Sequence, residues 1–487
     1  MPLGQTARQA LCARHSGAAG MNVYDFVVIG SGPAGRRAAI QAAKLGKKVL
    51  VIEKGTRVGG VSVHTGTIPS KTLRETALNL TGWRERGFYG RSYRVKQEIS
   101  ADDLRRRLLI TLDHEVDVLE HQFARNRVSQ LRGHARFIDK NTIEVMKDDG
   151  ELIRVHADSV LLAVGTRPFR PAHIPFDGDK IIDSDEILEI KEVPRSMVVI
   201  GAGVIGIEYA TIFSALDTAV TVIEPRDTML DFLDKEIVED FAYQLRDRNM
   251  KLVFGQTVEK VEKEPSGKCR VTLQNGRSMI AEMVLFAAGR VGATDSLDLA
   301  ACGLEADNRG RIKVDPETFQ TAVPGIYAAG DVVGFPSLAS TSMEQGRIAA
   351  RHAVGAPAHE PPQYFPYGIY AVPEISTCGL TEEEVQQRGI PYECGVAHFR
   401  ETSRGHIMGL DSGLLKMIFS LKTRRLLGVH IVGEGATELV HIGQAVLNLK
   451  GTVEYFVENT FNYPTLAEAY KIAGLDAWNR MGELKGA

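Results

Sequence analysis

Two segments of the chain share one order of apolar and polar positions. Each has an apolar run that ends in glycine, a glycine-rich turn, an alanine-containing stretch with helical spacing, and a second apolar run that ends in an acid. The first extends from YDFVVIG to KKVLVIEK, and the second from MVVIGAGVIG to VTVIE. This order predicts strand, helix and strand twice over. The chain is therefore expected to be of the α/β class, with two βαβ units.

The glycines of the first unit indicate dinucleotide binding. Gly30, Gly32 and Gly35 form a G-x-G-x-x-G turn, and Glu53 follows Gly35 by eighteen residues. The first glycine allows a sharp turn, the second lets backbone approach a pyrophosphate, and the third lets helix and strand touch. The N-terminus of the helix then presents free N–H groups to the phosphates. The acid would accept hydrogen bonds from a ribose diol.

The second unit repeats this spacing, with Glu224 eighteen residues after the last glycine of the turn at Gly201, Gly203 and Gly206. Two dinucleotide sites are therefore expected. Glu224 favours a free ribose diol and should repel the 2′-phosphate of NADP(H), whereas Arg226 could attract that phosphate. The alternative for Arg226 is a solvated turn residue, because charged residues commonly follow a strand.

The C-terminal part of the chain has a different pattern. GLLKMIFS and RRLLGVHIVG are strand-like apolar runs separated by polar residues, and ELVHIGQAVLNLK has the spacing of an amphipathic helix. These segments predict an α+β region that follows the two βαβ units.

Composition excludes several classes of protein. A net charge of −3 on 487 residues provides no basic field for nucleic acid or anionic lipid. We expect no membrane span, because no apolar run reaches about 18 residues. No histidine spacing predicts a metal site. The cysteines are scattered, so reduced thiols in a cytoplasmic protein are expected; they are Cys12, Cys269, Cys302, Cys378 and Cys394.

A third motif distinguishes the two sites. TAVPGIYAAGDVVG, from Thr321 to Gly334, resembles the second flavin signature of FAD-dependent pyridine nucleotide oxidoreductases. In that signature the aspartate, here Asp331, bonds the ribityl chain. The resemblance assigns FAD to the first unit and NAD or NADP to the second. From about Met21 to its end, the chain resembles the flavoprotein disulfide reductase superfamily.

This resemblance implies two Rossmann-like nucleotide-binding domains, a C-terminal α+β dimerisation domain, and a homodimer or higher homo-oligomer. For the N-terminal extension, a frayed tail upstream of a true start at Met21 and a transit peptide are the two interpretations. The implied order is an extension at 1–20, an FAD domain at 21–165, an NAD(P) domain at 166–290, the return of the FAD domain at 291–364, and dimerisation at 365–487.

The thiol chemistry of the superfamily is missing. In the loop GGVSVHTGTIPSK, Ser62 and Thr67 stand where disulfide reductases carry their two cysteines. Tyr463, followed by Pro-Thr and by Glu468, stands where they carry a histidine base. A phenol with a pKa near ~10 is a poor base at neutral pH. A disulfide substrate is therefore not expected.

One branch of the superfamily matches these departures. GTIPSK, from Gly66 to Lys71, and FNYPTLAEAY, from Phe461 to Tyr470, resemble segments of the soluble (Si-specific) pyridine nucleotide transhydrogenases. Members of that branch often keep a cysteine at the position of Ser62, so this chain departs further. The resemblance implies reversible, FAD-dependent hydride transfer between NADPH/NADP⁺ and NAD⁺/NADH by a ping-pong mechanism.

The same resemblance assigns roles to individual residues. Lys71 would lie beside the flavin N5 with Glu208 as its ion-pair partner. Tyr463 and Glu468 either lie across the dimer interface near the other subunit's flavin or serve packing alone. His64 is either a polar surface residue or a contact of the nicotinamide pocket. The residues expected to bind cofactor and nucleotide are Gly30, Gly32, Pro33, Ala34, Gly35, Glu53, Lys54, Gly60, Ser62, Thr67, Lys71, Ala135, Gly165, Asp331, Leu338, Ala339, Gly201, Gly203, Gly206, Glu224, Arg226 and Gly289.

The helix expected after Asp331, in FPSLASTSMEQGRIAARHAV, has Ser and Thr near its start, which we expect to cap it. In the superfamily such a helix points its positive end at the flavin N1–O2 edge. Two other functions remain as alternatives. One is an NAD(P)H-dependent quinone or dye reductase, and the other is a flavoprotein that serves as a non-catalytic assembly subunit.

Overall fold

The computed structural model describes residues 22–358, 360–361 and 363–483, so the extension predicted for 1–20 lies outside the described residues. The chain forms two compact units. Within the described residues, the first comprises 22–60, Val116–Thr166 and 292–361. The second comprises Val61–Glu115, Arg167–Val291 and 363–483. The domain boundaries given above stay a prediction.

The described residues form strands in the predicted apolar runs and also in the segments between those runs. In chain order they are β1 Asn22–Ile29, β2 Val49–Glu53, β3 Ser129–Arg132, β4 His134–Phe137, β5 Thr142–Met146, β6 Leu152–Leu162, β7 Thr166–Pro168, β8 Ile181–Asp183, β9 Ser196–Ile200, β10 Ala219–Glu224, β11 Lys251–Phe254, β12 Val258–Lys263, β13 Cys269–Leu273, β14 Ser278–Ala281, β15 Met283–Phe286, β16 Arg290–Gly292, β17 Ile326–Ala328, β18 Tyr367–Ile369, β19 Ile375–Gly379, β20 Tyr392–His398, β21 Leu414–Ser420 and β22 Leu426–Val432.

The helices range from single turns to the long α5. They are α1 Pro33–Lys44, α2 Gly60–His64, α3 Thr67–Leu80, α4 Arg86–Tyr89, α5 Ala101–Arg125, α6 Val204–Ala215, α7 Lys235–Asp247, α8 Ala339–Ala353, α9 Glu382–Gln387, α10 Ser403–Met408, α11 Ala436–Asn448, α12 Val453–Glu458 and α13 Glu468–Glu483. A bilayer-crossing helix is absent from the described residues, since no helix there joins sufficient length with sufficient apolar content.

The first unit is built on a seven-stranded sheet in the order β3-β2-β1-β6-β5-β4, with β17 also on β6. β1 pairs in parallel with β2 and β6, and β17 pairs in parallel with β6. The C-terminal ends of the central strands, Phe26–Ile29 of β1 and Val160–Leu162 of β6, are buried, as is usual for parallel strands covered on both faces. The predicted order of β1, α1 and β2 is confirmed.

The second unit contains a parallel sheet in the order β11-β10-β9-β15-β8, an antiparallel sheet of β12, β13 and β14, and a five-stranded antiparallel sheet in the order β18-β19-β22-β21-β20. The predicted βαβ unit of β9, α6 and β10 is confirmed, and so are the two C-terminal strands, β21 and β22, and the amphipathic helix α11. One apolar cluster packs α6 and α7 against the parallel sheet.

The prediction that Ser and Thr cap the helix after Asp331 is wrong. α8 begins at Ala339, and the residue before it, Leu338, is extended and has no side-chain oxygen. Thr341 lies within the first turn and donates to the Leu338 carbonyl at 3.0 Å. Ser337 donates its hydroxyl to the Gly334 carbonyl at 2.8 Å, in the turn before the helix. The hydroxyls thus bond carbonyls and leave the helix N–H groups uncapped by side chains.

Candidate active site

The turn after β1 leaves an open space bounded by backbone. A Cβ on Gly30, whose φ is +101°, would lie 2.4 Å from the Ala163 carbonyl oxygen, and a Cβ on Gly35 would lie 2.0 Å from the Gly30 oxygen. A Cβ on Gly32 would meet no atom within 4 Å. The outer glycines are therefore required by close packing, whereas the middle one faces room for another group.

The acid at the end of β2 is held by the same turn. Glu53 accepts hydrogen bonds from the Ser31 N–H at 2.9 Å, the Ser31 hydroxyl at 2.5 Å and the Gly55 N–H at 2.8 Å. The Ser31 hydroxyl oxygen accepts in turn from the Gly59 N–H at 2.9 Å. An ionised carboxylate has about four acceptor positions, so Glu53 keeps capacity for a ribose hydroxyl. Ser31, an unassigned residue between two signature glycines, thus fixes the acid.

Other predicted residues of the first unit meet around α1. A Cβ on Gly60 would lie 2.9 Å from the Gly32 Cα, and one on Gly330, just before Asp331, would lie 3.3 Å from the Ala34 Cβ. Asp331 opens a 3₁₀ turn. Pro33 opens α1, and Leu338 and Ala339 open α8. Lys54 is exposed after β2, Ala135 is buried on β4, and Gly165 follows β6 with a φ of +64°.

The residues around the first turn fit an anionic dinucleotide. Both α1 and α8 begin without a side-chain cap, so their first N–H groups can donate to an outside acceptor. Helix N-termini also favour negative charge. The open face at Gly32 adds the space that a pyrophosphate would need.

The turn after β9 has the same construction. A Cβ on Gly201 would lie 2.6 Å from the Ala287 carbonyl oxygen, and one on Gly206 would lie 2.0 Å from the Gly201 oxygen. A Cβ on Gly203 or on Gly289 would meet nothing within 4 Å. α6 likewise begins without a side-chain cap. The second unit therefore offers a second site of the same kind.

Glu224, the acid of the second site, pairs with a cation, Arg226, whereas the bonds of Glu53 described above come from Ser31 and Gly55. Glu224 accepts from the Ala202 N–H at 2.7 Å, as Glu53 does from Ser31. Arg226 donates to Glu224 from Nε at 2.8 Å and from Nη2 at 3.3 Å. Burial acts to raise the pKa of Glu224, but the hydrogen bonds from Arg226 and Ala202 outweigh it, and that pKa lies below its usual value. Glu224 is thus a carboxylate at neutral pH.

A buried ion pair joins α3 and α6. The Lys71 Nζ lies 2.8 Å and 2.7 Å from the two carboxylate oxygens of Glu208, whose side chain is only 5% exposed. The Tyr370 N–H donates to Glu208 at 2.9 Å, and the Tyr370 ring centroid lies 4.8 Å from the Lys71 Nζ. Ser70 Oγ is 3.3 Å from Glu208. The ammonium is therefore fixed, while its side chain remains partly exposed.

Ser62 and Thr67 lie a few residues before Lys71 in the chain. Ser62 belongs to α2, and Thr67 opens α3; both are partly exposed, as is His64. Burial raises the pKa of Cys269 to about 11, the pKa of both Cys378 and Cys394 to about 12, and the pKa of Cys302 above its usual value, which disfavours the thiolate at each of them. Cys12 lies outside the described residues.

Tyr463 and Glu468 lie outside the hydrogen bonds of Lys71 and Glu208 described above. The Tyr463 hydroxyl lies 2.7 Å from Ser403 Oγ, and Tyr463 is 67% exposed. Glu468 opens α13, and its Oε2 is buried without a hydrogen-bond partner in the described chain. Contact of these residues with a second subunit stays a prediction.

Two contacts were not apparent in the sequence. Ser70 stands within the IPSK motif, which could have indicated it. Tyr370 carries no local signal, because it is 162 residues from Glu208. Within the described residues, no group of His, Cys, Asp or Glu side chains could hold a metal ion.

Comparison with known proteins identifies relatives along nearly the whole chain. Residues 24–346 match the family described as pyridine nucleotide-disulphide oxidoreductase, and residues 365–473 match its dimerisation domain. A soluble pyridine nucleotide transhydrogenase of Mycobacterium bovis is 53% identical over 95% of this chain and 99% of its own. One of Colwellia psychrerythraea is 42% identical over 94% and 98%. The crystal structure of LpdA from Mycobacterium tuberculosis aligns with a TM-score of 0.85 and 25% identity, over 93% of this chain and 99% of that one.

Proposed function

The chain belongs to the pyridine nucleotide-disulphide oxidoreductase family, and on this premise we propose that it catalyses reversible hydride transfer between NADPH/NADP⁺ and NAD⁺/NADH. The observation that carries the proposal is a selective loss. Both glycine turns and the Lys71–Glu208 pair are intact, whereas Ser62 and Thr67 replace the sulfur relay. Neither Ser62 nor Thr67 can form the disulfide through which such a relay passes electrons.

The two glycine turns divide the nucleotides between them. The first turn, with Glu53 and Asp331, holds FAD, and the second, with Glu224 and Arg226, holds NAD(H) and NADP(H) in alternation. Bound FAD supplies the redox chemistry, since it can accept a hydride from one nicotinamide and give it to another. The predicted domain boundaries, a homodimer and a cytoplasmic location belong to the same proposal.

The chain's own residues bind the pyrophosphates of the nucleotides and supply a fixed, oriented positive charge. Gly32 and Gly203 admit pyrophosphates, and the uncapped starts of α1 and α6 donate to them. Lys71 supplies a fixed positive charge, which Glu208 orients through both of its oxygens. The resemblance assigns this charge to the flavin N5 edge. Tyr463 cannot replace a histidine as a base, which agrees with a reaction that transfers only hydride.

The decisive experiment is an anaerobic titration of the purified holoenzyme with NADPH, followed by thio-NAD⁺. We expect NADPH to bleach the visible flavin band and thio-NAD⁺ to restore it, with parallel double-reciprocal plots in steady state. Thiol-blocking reagents should leave the rates unchanged. Reduced flavin that quinones reoxidise and thio-NAD⁺ does not would favour a quinone reductase. Flavin that neither NADPH nor NADH reduces would favour an assembly subunit.

Replacing Arg226 by alanine tests the nucleotide-selective end of the second site. We expect the Kd for NADP⁺ to rise about tenfold, because a charge-assisted bond to the 2′-phosphate is lost, while the Kd for NAD⁺ changes little. Titration calorimetry on the oxidised holoenzyme measures both constants. Arg270→Ala, which breaks the 2.5 Å pair with Glu264, is the matched control. An unchanged Kd for NADP⁺ would identify Arg226 as a solvated turn residue.

A further inference from the structure

In the loop after β10, a third charged residue, Asp231, pairs with the Arg226 guanidinium. The Arg226 Nη1 lies 2.7 Å from the Asp231 carboxylate, while its Nε and Nη2 donate to Glu224. All three guanidinium nitrogens of Arg226 are therefore engaged by acids. Any 2′-phosphate that is to bind Arg226 must compete with these acids.

Backbone hydrogen bonds fix this loop at Arg226 and at Leu230, the residue before Asp231. The Gly255 N–H donates to the Arg226 carbonyl at 2.9 Å, so the main chain at Arg226 is anchored to the loop after β11. Leu230 is buried with a φ of +48°, a conformation that residues with a Cβ rarely adopt. The Leu230 N–H donates to the Ala202 carbonyl at 3.3 Å.

Ala202 thereby connects the two acids to the glycine turn. Its N–H donates to Glu224, and its carbonyl accepts from Leu230, the residue before Asp231. The position of Asp231 is thus defined relative to the pyrophosphate-binding turn. The side chains of Arg226 and Asp231 are 46% and 48% exposed, so both are accessible to a nucleotide.

We infer that Asp231 determines the discrimination between NADP(H) and NAD(H) by competing with the 2′-phosphate for Arg226. This inference rests on the proposed function. Arg226 is paired with both Glu224 and Asp231, so a phosphate, which carries about −1.5 to −2 at neutral pH, must replace Asp231 to bind its Nη1. The uncharged ribose diol of NAD(H) needs no such pairing with Arg226. Asp231 therefore opposes one nucleotide and is neutral towards the other.

The strength of the Asp231–Arg226 pair suits exchange between nucleotides. Ion pairs between half-exposed side chains are weak, because water and salt screen them. The phosphate can therefore displace Asp231 without a large change in the loop. When NADP(H) leaves, Arg226 pairs again with Glu224 and Asp231.

Asp231→Asn in the full-length holoenzyme is the test, and the probes are NADP⁺ and NAD⁺ titrated calorimetrically into oxidised enzyme. We expect the Kd for NADP⁺ to fall about two- to fivefold, the range for a screened ion pair. The Kd for NAD⁺ should stay constant, and Asp231→Glu should retain the wild-type ratio. The fall should diminish at high salt. Asp227→Asn, which removes the same charge where the carboxylate faces Gly255, should change the ratio less.

A double-mutant cycle with Arg226→Ala decides whether Asp231 acts through Arg226. In that background, Asp231→Asn should no longer tighten NADP⁺ binding. Tightening that persists would overturn the competition, because the acid would then repel the phosphate directly. An unchanged Kd ratio in Asp231→Asn alone would also overturn it. In both cases the wild type would still pass hydride from NADPH to thio-NAD⁺, whereas loss of that transfer in the wild type would refute the proposed function itself.

Discussion

Replacing Lys71 by methionine should slow flavin reduction by NADPH about 10²- to 10³-fold, the usual cost of removing one preorganised group that stabilises developing charge. Methionine has a similar length and no charge, so the change is chiefly electrostatic. The FAD content should stay close to that of the wild type, because the glycine turn and Glu53 that we assign to FAD are unchanged.

The same substitution also leaves Glu208 without its cation. Both carboxylate oxygens accept from Lys71, and the side chain is nearly buried, so an unpaired charge would remain. Loss of one partner from a buried pair commonly destabilises a protein by about 3–5 kcal/mol. Partial exposure of the Lys71 side chain should keep the value at the lower end.

The double variant Lys71→Met/Glu208→Gln separates the two effects. Glutamine keeps an acceptor for the Tyr370 N–H and removes the unpaired charge, so thermal stability should recover. The rate of flavin reduction, measured by anaerobic stopped flow, should remain low. If the rate recovered together with stability, Lys71 would be a structural residue only, and its assignment to the cofactor would be wrong.

Features that depend on neighbouring residues could be predicted from the sequence. The order of β1, α1 and β2 follows from apolar spacing, and its repetition in β9, α6 and β10 follows from the same spacing. The contacts of Gly35 and Gly206 with the first glycine of each turn are likewise local. Such contacts join residues a few positions apart, so a one-dimensional pattern contains them.

Features that depend on distant segments could not be predicted. Tyr370, which follows β18, bonds to Glu208 of α6 within one unit, and no spacing in the sequence indicates this contact. Asp231 is close to Arg226 in sequence, but its pairing depends on the left-handed turn at Leu230. The assumed caps of α8 failed because nearby hydroxyls bond carbonyls instead. In each case the folded structure decides which of several possible local hydrogen bonds or ion pairs forms.

A buried cation in the C-terminal sheet is a further example, and its removal should have the largest effect on stability. GLLKMIFS predicted strand β21 but not the surroundings of its lysine. Lys416 is 1% exposed, and its Nζ lies 3.0 Å from Asp234 and 2.9 Å from Glu236, with Glu382 also bonded to it. Asp234 is itself fully buried. One ammonium thus compensates several acids contributed by α7 and the segments around it.

Lys416→Met should therefore destabilise the protein by about 3–5 kcal/mol at neutral pH, because buried carboxylates lose their compensating charge. We expect the midpoint of thermal unfolding of the holoenzyme to fall by about 5 °C or more. Lys96→Met, which breaks a 2.6 Å pair with Asp103 near the surface, should cost at most about 1 kcal/mol. A cost for Lys416→Met no larger than for Lys96→Met would contradict the importance of the buried cluster.

The loss of stability in Lys416→Met should depend on pH in a definite direction. Burial acts to raise the pKa of Glu382, but hydrogen bonds from Lys416 and Tyr392 outweigh it and hold that pKa below its ordinary value of 4.5. A depressed carboxyl pKa contributes stability above the unfolded value, and this contribution is lost as the pH falls through the folded value. Without Lys416 the contribution is absent at neutral pH, so the gap in stability between wild type and Lys416→Met should narrow on acidification below about pH 4.5. A gap that stayed constant over that range would mean that the methionine acts by packing rather than by leaving the acids unpaired.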